Sequence, residues 1–169
     1  MSASCFASCS NFASCRQTPT SRTTCISRRI VLLDFGATQR LQAALVRNYA
    51  RITRSVIADD RESVAREAIR IGYASSDDSA ERLQAVIDVI FLVCEPLRRV
   101  GRYDFPNSDL PARVRALTFD LAFRRGLLRS PPPETLFLHR KLVGSFLLLA
   151  RIGARVDARG LVLPFLPTR

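Results

Sequence analysis

The sequence carries a single lysine, Lys141, although 26 of its 169 residues are lysine or arginine. A mechanism that needs several amines, or one early in the chain, is therefore excluded. There is also a single histidine, His139, with no cysteine or carboxylate cluster beside it to complete a metal site. The five cysteines (Cys5, Cys9, Cys15, Cys25, Cys94) are odd in number and irregular in spacing, which suits neither a disulfide framework nor a pair of zinc knuckles. The longest strongly apolar run, Leu142 to Ala150, is too short to span a bilayer. No acidic side chain occurs among the first 33 residues. No internal repeat is visible.

What is present suffices for one packed domain. Hydrophobic residues make up 47% of the chain, and the mean hydropathy is +0.07. The net charge of +11 raises nucleic acid or anionic lipid as partners. The arginines, however, are scattered (Arg47, Arg51, Arg54; Arg66, Arg70; Arg98, Arg99; Arg113, Arg115; Arg124, Arg125). They do not interleave with aromatics, and no Gly-rich or zinc-finger pattern accompanies them. A solvated helical face accounts for them better, and nucleic acid is disfavoured.

Composition changes sharply near Arg28: no hydrophobic period precedes it, and periodic segments follow. Arg29 to Asp34 reads as a short strand. Thr38 is a candidate cap for a helix with Leu41, Leu45, Tyr49, Ile52 and Val56 inward. Asp59 or Asp60 can cap a second helix, with Val64, Ala68 and Ile71 inward and Gly72 closing it. Asp77 or Asp78 opens a third, with Leu83, Ile87, Ile90, Phe91 and Cys94, stopped by Pro96. Residues 100–108 read as a loop, and Asp109 with Pro111 starts a fourth helix bearing Val114, Leu117 and Leu121. After Ser130 and three prolines, a fifth helix begins at Glu134. It is apolar almost all round, which predicts a place at the centre of a bundle. The expectation is a mainly α fold: a disordered tail over 1–28, one short strand followed by about five helices over 29–160, and a tail over 161–169. Cys94 is expected in the core, Glu95 as a solvated charge at a helix end, and His139, Arg140 and Lys141 as structural or surface-lining residues.

The arrangement with a mechanism attached is Asp34-Phe35-Gly36 directly after a hydrophobic strand. In protein kinases the aspartate of such a tripeptide holds Mg²⁺ against the ATP phosphates, because a hard cation favours carboxylate oxygen. Alone, the tripeptide is a weak signal, and a strand ending in a turn accounts for it better. Its context is more specific. The segments LLDFGATQRL, NYARITRSVIADDRESVAREAIRIGY, EPLRR and PPPETLFLHRKLVGSFLLLARIGARVD occur in order, and together they resemble the UbiB/AarF-type atypical kinases, in particular the coenzyme Q branch. The resemblance covers roughly residues 29 to 157. It departs at Gln39, where arginine is usual, at Ala74-Ser75-Ser76, where a Leu-Thr-Gly-like stretch is usual, and over Leu161 to Arg169.

The resemblance implies a protein-kinase-like C-terminal lobe portion, with Asp34 as a metal ligand and with ATP and Mg²⁺ as cofactors. It implies a mitochondrial setting, coenzyme Q biosynthetic proteins or lipid precursors as partners, and a possible inner-membrane surface. It also shows what is missing. The phosphate-contacting lysine, the family's Lys-x-Gly-Gln segment and its Ala-rich nucleotide loop are absent, as is a catalytic Asp and Asn ahead of Asp34. The expectation is a truncated, catalytically inactive chain. The alternative is a non-enzymatic basic helical module that binds a protein, an anionic membrane or nucleic acid.

Residues 1–28 admit three readings. Their acid-free, Ser- and Arg-rich composition is like that of a transit peptide, or of a low-complexity tail. A third reading is a frame-shifted translation. With permitted codons, Gln17 to Ile26 read in an offset frame gives DPNFANYLY, which resembles the family's catalytic loop. In the same offset, Ser4 to Gln17 gives LLRELFEFRFMQT. The coding sequence checks this directly: it should permit both hidden peptides, and codons incompatible with them exclude the frame shift.

Overall fold

The computed structural model describes residues 40–166 and, before them, three short strands: β1 (Arg16–Gln17), β2 (Thr24–Ile26) and β3 (Ile30–Leu32). The chain divides into two units, 1–41 and 42–169. In the first, β1, β2 and β3 form an antiparallel sheet in that order, with Cys25 opposite both Gln17 and Val31. The strand expected at Arg29 to Asp34 is thus present as β3. The expected tail contains β1 and β2, and its other residues lie outside those described.

The second unit is helical, as the periodicity predicts. Its elements are α1 (Ala43–Ile57), α2 (Arg61–Ile71), α3 (Ala80–Val93), the short α4 (Glu95–Arg98), α5 (Leu110–Phe119), a π-helical turn (Asp120–Arg124), α6 (Pro133–Arg151) and the short α7 (Ala158–Val162). The inward positions of α1 to α3 meet as expected: Ile52, Val56, Val64, Ala68, Ile71, Val86, Ile87 and Phe91 form a buried cluster. Each large aliphatic side chain withdrawn from water contributes about 1.5–3 kcal/mol, so this cluster is the main source of stability for the helical unit.

Local chemistry sets the element ends. Asp60 caps α2, its carboxylate accepting from Ser63 N–H at 2.9 Å. Gly72 closes it with φ of +91°, a conformation that side chains bearing Cβ resist. Asp109 does precede α5, and Pro111 lies in its first turn. Other boundaries differ from expectation. Gln42 rather than Thr38 precedes α1: its extended backbone leaves Leu41 outside the helix, and Thr38 lies outside the described residues. Ser79 rather than Asp77 or Asp78 caps α3, because Asp78 is engaged by Ser75 N–H at 2.7 Å and by Arg82 at 2.9 Å. The third helix does end ahead of Pro96, at Val93, and Pro96 itself sits in the first turn of α4, where its missing N–H costs nothing.

Two further findings lie beyond the helical period. The expected loop at 100–108 contains β4 (Tyr103–Asp104), which pairs antiparallel with β5 (Arg155–Val156). Two-residue strands are too short to show alternation. The centre-of-bundle expectation for the fifth helix is corrected. In α6 only Thr135 is buried, while Leu136, Leu142, Val143 and Leu147 are exposed. Its contacts with its neighbours include Thr135 and His139 near its start, and Phe146 against Tyr103 and Phe105. The core is completed by α1, α2 and α3, which leaves α6 at the periphery.

Gly72 offers a direct test of this packing. A Cβ there meets Pro132 Cγ at 3.2 Å, whereas one at Gly101, also left-handed at +81°, meets nothing within 4 Å. Gly72→Ala should therefore destabilise the helical unit by about 1–2 kcal/mol from backbone strain plus a contact penalty. Gly101→Ala should show the backbone part alone. Thermal melts of the two variants check this, and equal losses contradict the Pro132 contact.

Candidate functional site

Asp34, with Phe35 and Gly36, lies outside the described residues. Among the described residues no group of three His, Cys, Asp or Glu side chains is placed to hold a metal ion. The polar cluster that sequence reasoning did not assemble surrounds His139. Gly72 turns the chain out of α2 so that Tyr73 reaches α6, where its hydroxyl lies 2.6 Å from His139 Nε2. Tyr49, from α1, hydrogen-bonds to the Tyr73 hydroxyl and lies 3.2 Å from the same nitrogen. The Tyr73 and His139 rings stack at 5.7 Å, and Tyr49 meets Tyr73 edge-on at 6.5 Å. One arrangement satisfies every hydroxyl: Tyr49 donates to Tyr73, and Tyr73 donates to an unprotonated Nε2.

Electrostatics fix these groups in their neutral forms. Burial pushes the Tyr49 and Tyr73 hydroxyls above the usual tyrosine range and pulls His139 below the usual imidazole range. Cys94 is held as a thiol, burial pushing it up to about 11. Two surface hollows, of about 520 and 180 Å³, are lined by neither the tyrosines nor His139. Three neutral, mutually bonded groups do not form an acid–base pair. They fasten α6 to α1 and to the end of α2, as expected for a structural His139. Arg140 points to solvent, and Lys141 lies 5.5 Å over the Phe137 ring.

The other motifs also have structural roles. In the Asp60-Arg61-Glu62 step, Asp60 caps α2, Arg61 lies 4.8 Å over the Phe91 ring, and Glu62 pairs with Arg66 at 2.5 Å. In the Glu95-Pro96-Leu97-Arg98 step, Arg98 covers Phe91, also at 4.8 Å, and pairs with Asp59 at 2.9 Å. Glu95 is not the solvated charge expected. It accepts from the Tyr103 hydroxyl at 2.8 Å and pairs with Arg113, joining α4, β4 and α5. The sequence offers no signal for that junction, because its three residues come from three elements with no shared period. Cys94, expected in the core, does pack against the buried cluster.

Ten arginines of the described residues (Arg61, Arg66, Arg70, Arg82, Arg98, Arg113, Arg124, Arg125, Arg129 and Arg155) pair with carboxylates of the same chain. These pairs account for ten of the twenty arginines within residues 40–166.

No protein-family model matches the chain. Curated relatives do. The chain is 34% identical over 140 residues to the mitochondrial atypical kinase COQ8 of Schizosaccharomyces pombe, a match covering 80% of the chain and 22% of that protein. It is 30% identical over 135 residues to the mitochondrial atypical kinase COQ8B of Rattus norvegicus, covering 80% of the chain and 25% of the relative. To the mitochondrial atypical kinase COQ8 of Saccharomyces cerevisiae it is 32% identical over 132 residues, covering 77% and 26%. The matched part is thus about a quarter of the length of these relatives.

The His139 fastening predicts a pH dependence. The folded state holds His139 below its ordinary pKa, so the unfolded state binds the proton more readily. Stability should be fully present above the ordinary imidazole value, about 6.5, and should fall as pH drops through the lower folded value. His139→Gln should flatten that acid-side fall. Melting temperatures of both proteins between about pH 5 and 8 check it, and an unchanged slope in the variant contradicts the assignment.

Proposed function

Because the chain belongs to the UbiB-type family of atypical kinases, we propose that it forms C-terminal lobe structure of a mitochondrial kinase-fold protein that supports coenzyme Q biosynthesis. The observation that carries this reading is the structural use of the motifs themselves. The Asp60, Glu95 and His139 segments, recognised in order along the chain, each hold one helix against another. They build a scaffold, and the chemistry belongs to Asp34. In a complete site, one of the Mg²⁺ ligands beside ATP would be the Asp34 carboxylate.

On this reading residues 1–169 do not by themselves carry the parts that phosphate transfer needs. The sole lysine follows Asp34, and no acidic residue precedes Asp34 to serve as catalytic base or as partner to a phosphate-binding lysine. On this reading residues 1–28 occupy the place of the catalytic loop as a frame-shifted translation. They confer neither targeting nor redox function. The partners implied are coenzyme Q biosynthetic proteins or lipid precursors, at the inner-membrane surface. The internal pairing of the arginines argues against a nucleic-acid-binding module.

A chimera tests this function. Residues 29–157 should replace the matching segment of the Saccharomyces cerevisiae relative and sustain growth on a non-fermentable carbon source. The same chimera with Asp34→Ala should fail. Growth that is indifferent to Asp34→Ala contradicts the metal role, and a correctly expressed chimera that supports no growth contradicts the family scaffold role.

A further inference from the structure

The larger surface hollow, about 520 Å³, lies between α5 with its π-helical turn and the segment leading to α6. Phe119 and Phe123 form one side, Leu128 contributes apolar surface, and Arg115, Thr118 and Arg129 supply the polar part. The origin of its shape is local. The π turn holds Arg125 N–H on Asp120 O at 3.1 Å, and Leu127 N–H reaches Leu121 O at 2.7 Å. Leu121 is buried at 1% exposure, so its neighbours two positions away on either side are turned outward. Phe119 and Phe123 stand 54% and 77% exposed, with ring centroids 4.8 Å apart. Two adjacent exposed phenylalanines are an unfavourable surface for an unoccupied protein, and a π turn is itself an irregularity found mostly at functional positions.

Charge identifies the occupant. No carboxylate lines the hollow, while two arginines do. Arg115 has no ion pair among the described residues, unlike most of the arginines around it. Arg129 is held only loosely, with Asp78 at 3.7 Å and 71% of its side chain exposed. The hollow is open along one side, so a small molecule would not be enclosed as ligands ordinarily are. Its concavity also leaves the Leu128 floor unfilled against a flat bilayer. The geometry points to this groove as the docking site for a segment of a partner protein that sets large apolar side chains beside acidic ones. The apolar side chains lie against Phe119, Phe123 and Leu128, and the carboxylates meet Arg115 and Arg129. This surface is independent of the kinase reading, because it uses none of the residues assigned to it.

The test uses the full chain and a labelled twelve-residue peptide that alternates Asp and Glu with Leu and Phe, followed by fluorescence anisotropy. Saturable binding is expected, absent for a counterpart with Lys at every acidic position. Phe123→Ala and Arg115→Glu should each weaken binding by about tenfold or more. Both side chains face solvent, so the variants should keep the parent melting temperature. Arg115→Glu serves as the independent probe, because it removes no packing. Absence of saturable binding, or variants that bind as the parent does, overturns the proposal. So does tighter, variant-sensitive binding to phosphatidylglycerol vesicles, which would make a membrane the occupant.

Discussion

The attachment of α6 depends on one backbone constraint, the left-handed turn at Gly72. That turn ends α2, lets Pro132 approach within 3.2 Å of where a side chain would begin, and delivers the Tyr73 hydroxyl to His139. Farther along α6, Phe146 meets Tyr103 and Phe105. The cluster works because each member is neutral. Burial suppresses charge on the imidazole and on both phenols, so a chain of hydrogen bonds replaces what would otherwise be a costly buried ion. Thr135, buried at the start of α6, donates its hydroxyl to Pro132 O at 2.7 Å.

A second fastening works by charge on an apolar ring. Phe91 is buried, yet its two faces are covered by the guanidinium groups of Arg61 and Arg98. Each contact contributes about 0.5–1 kcal/mol at an exposed site. The same arginines reach Asp88 and Asp59, which ties α2 to α3 and the short α4 back to the end of α1. Asp59 has a positive φ of +59°, unusual for a side chain with Cβ, and Arg98 holds its carboxylate. Pairs of this kind engage part of the basic charge and leave the net charge of +11 unchanged.

How much of this was legible in the sequence follows from the range of each interaction. The helices α1, α2, α3 and α5 were readable because periodicity and capping act within a few residues: Asp60 caps α2, Gly72 closes it, and Asp109 precedes α5. The peripheral place of α6 was not, because an apolar helix looks the same whether or not neighbouring elements cover it. The β4–β5 pair and the Glu95–Tyr103–Arg113 junction were hidden for a related reason. Their partners are distant in sequence, and each element is only a few residues long. His139 was expected to be structural or surface-lining, and it bonds to Tyr49 and Tyr73. Tyr49 sits at a position that reads as core, and Tyr73 follows the glycine that ends α2, so neither gave a polar signal. Asp34 lies outside the described residues.

On the proposed reading the helical unit is a scaffold, and residues 1–169 lack the lysine and catalytic loop that phosphoryl transfer requires. The most direct measurement is release of labelled γ-phosphate from Mg²⁺–ATP by the purified full chain, compared with Asp34→Asn. The account predicts no turnover above buffer for either protein. Turnover by the parent chain that disappears in Asp34→Asn would contradict it, by showing a working site without the lysine and catalytic loop that such chemistry requires.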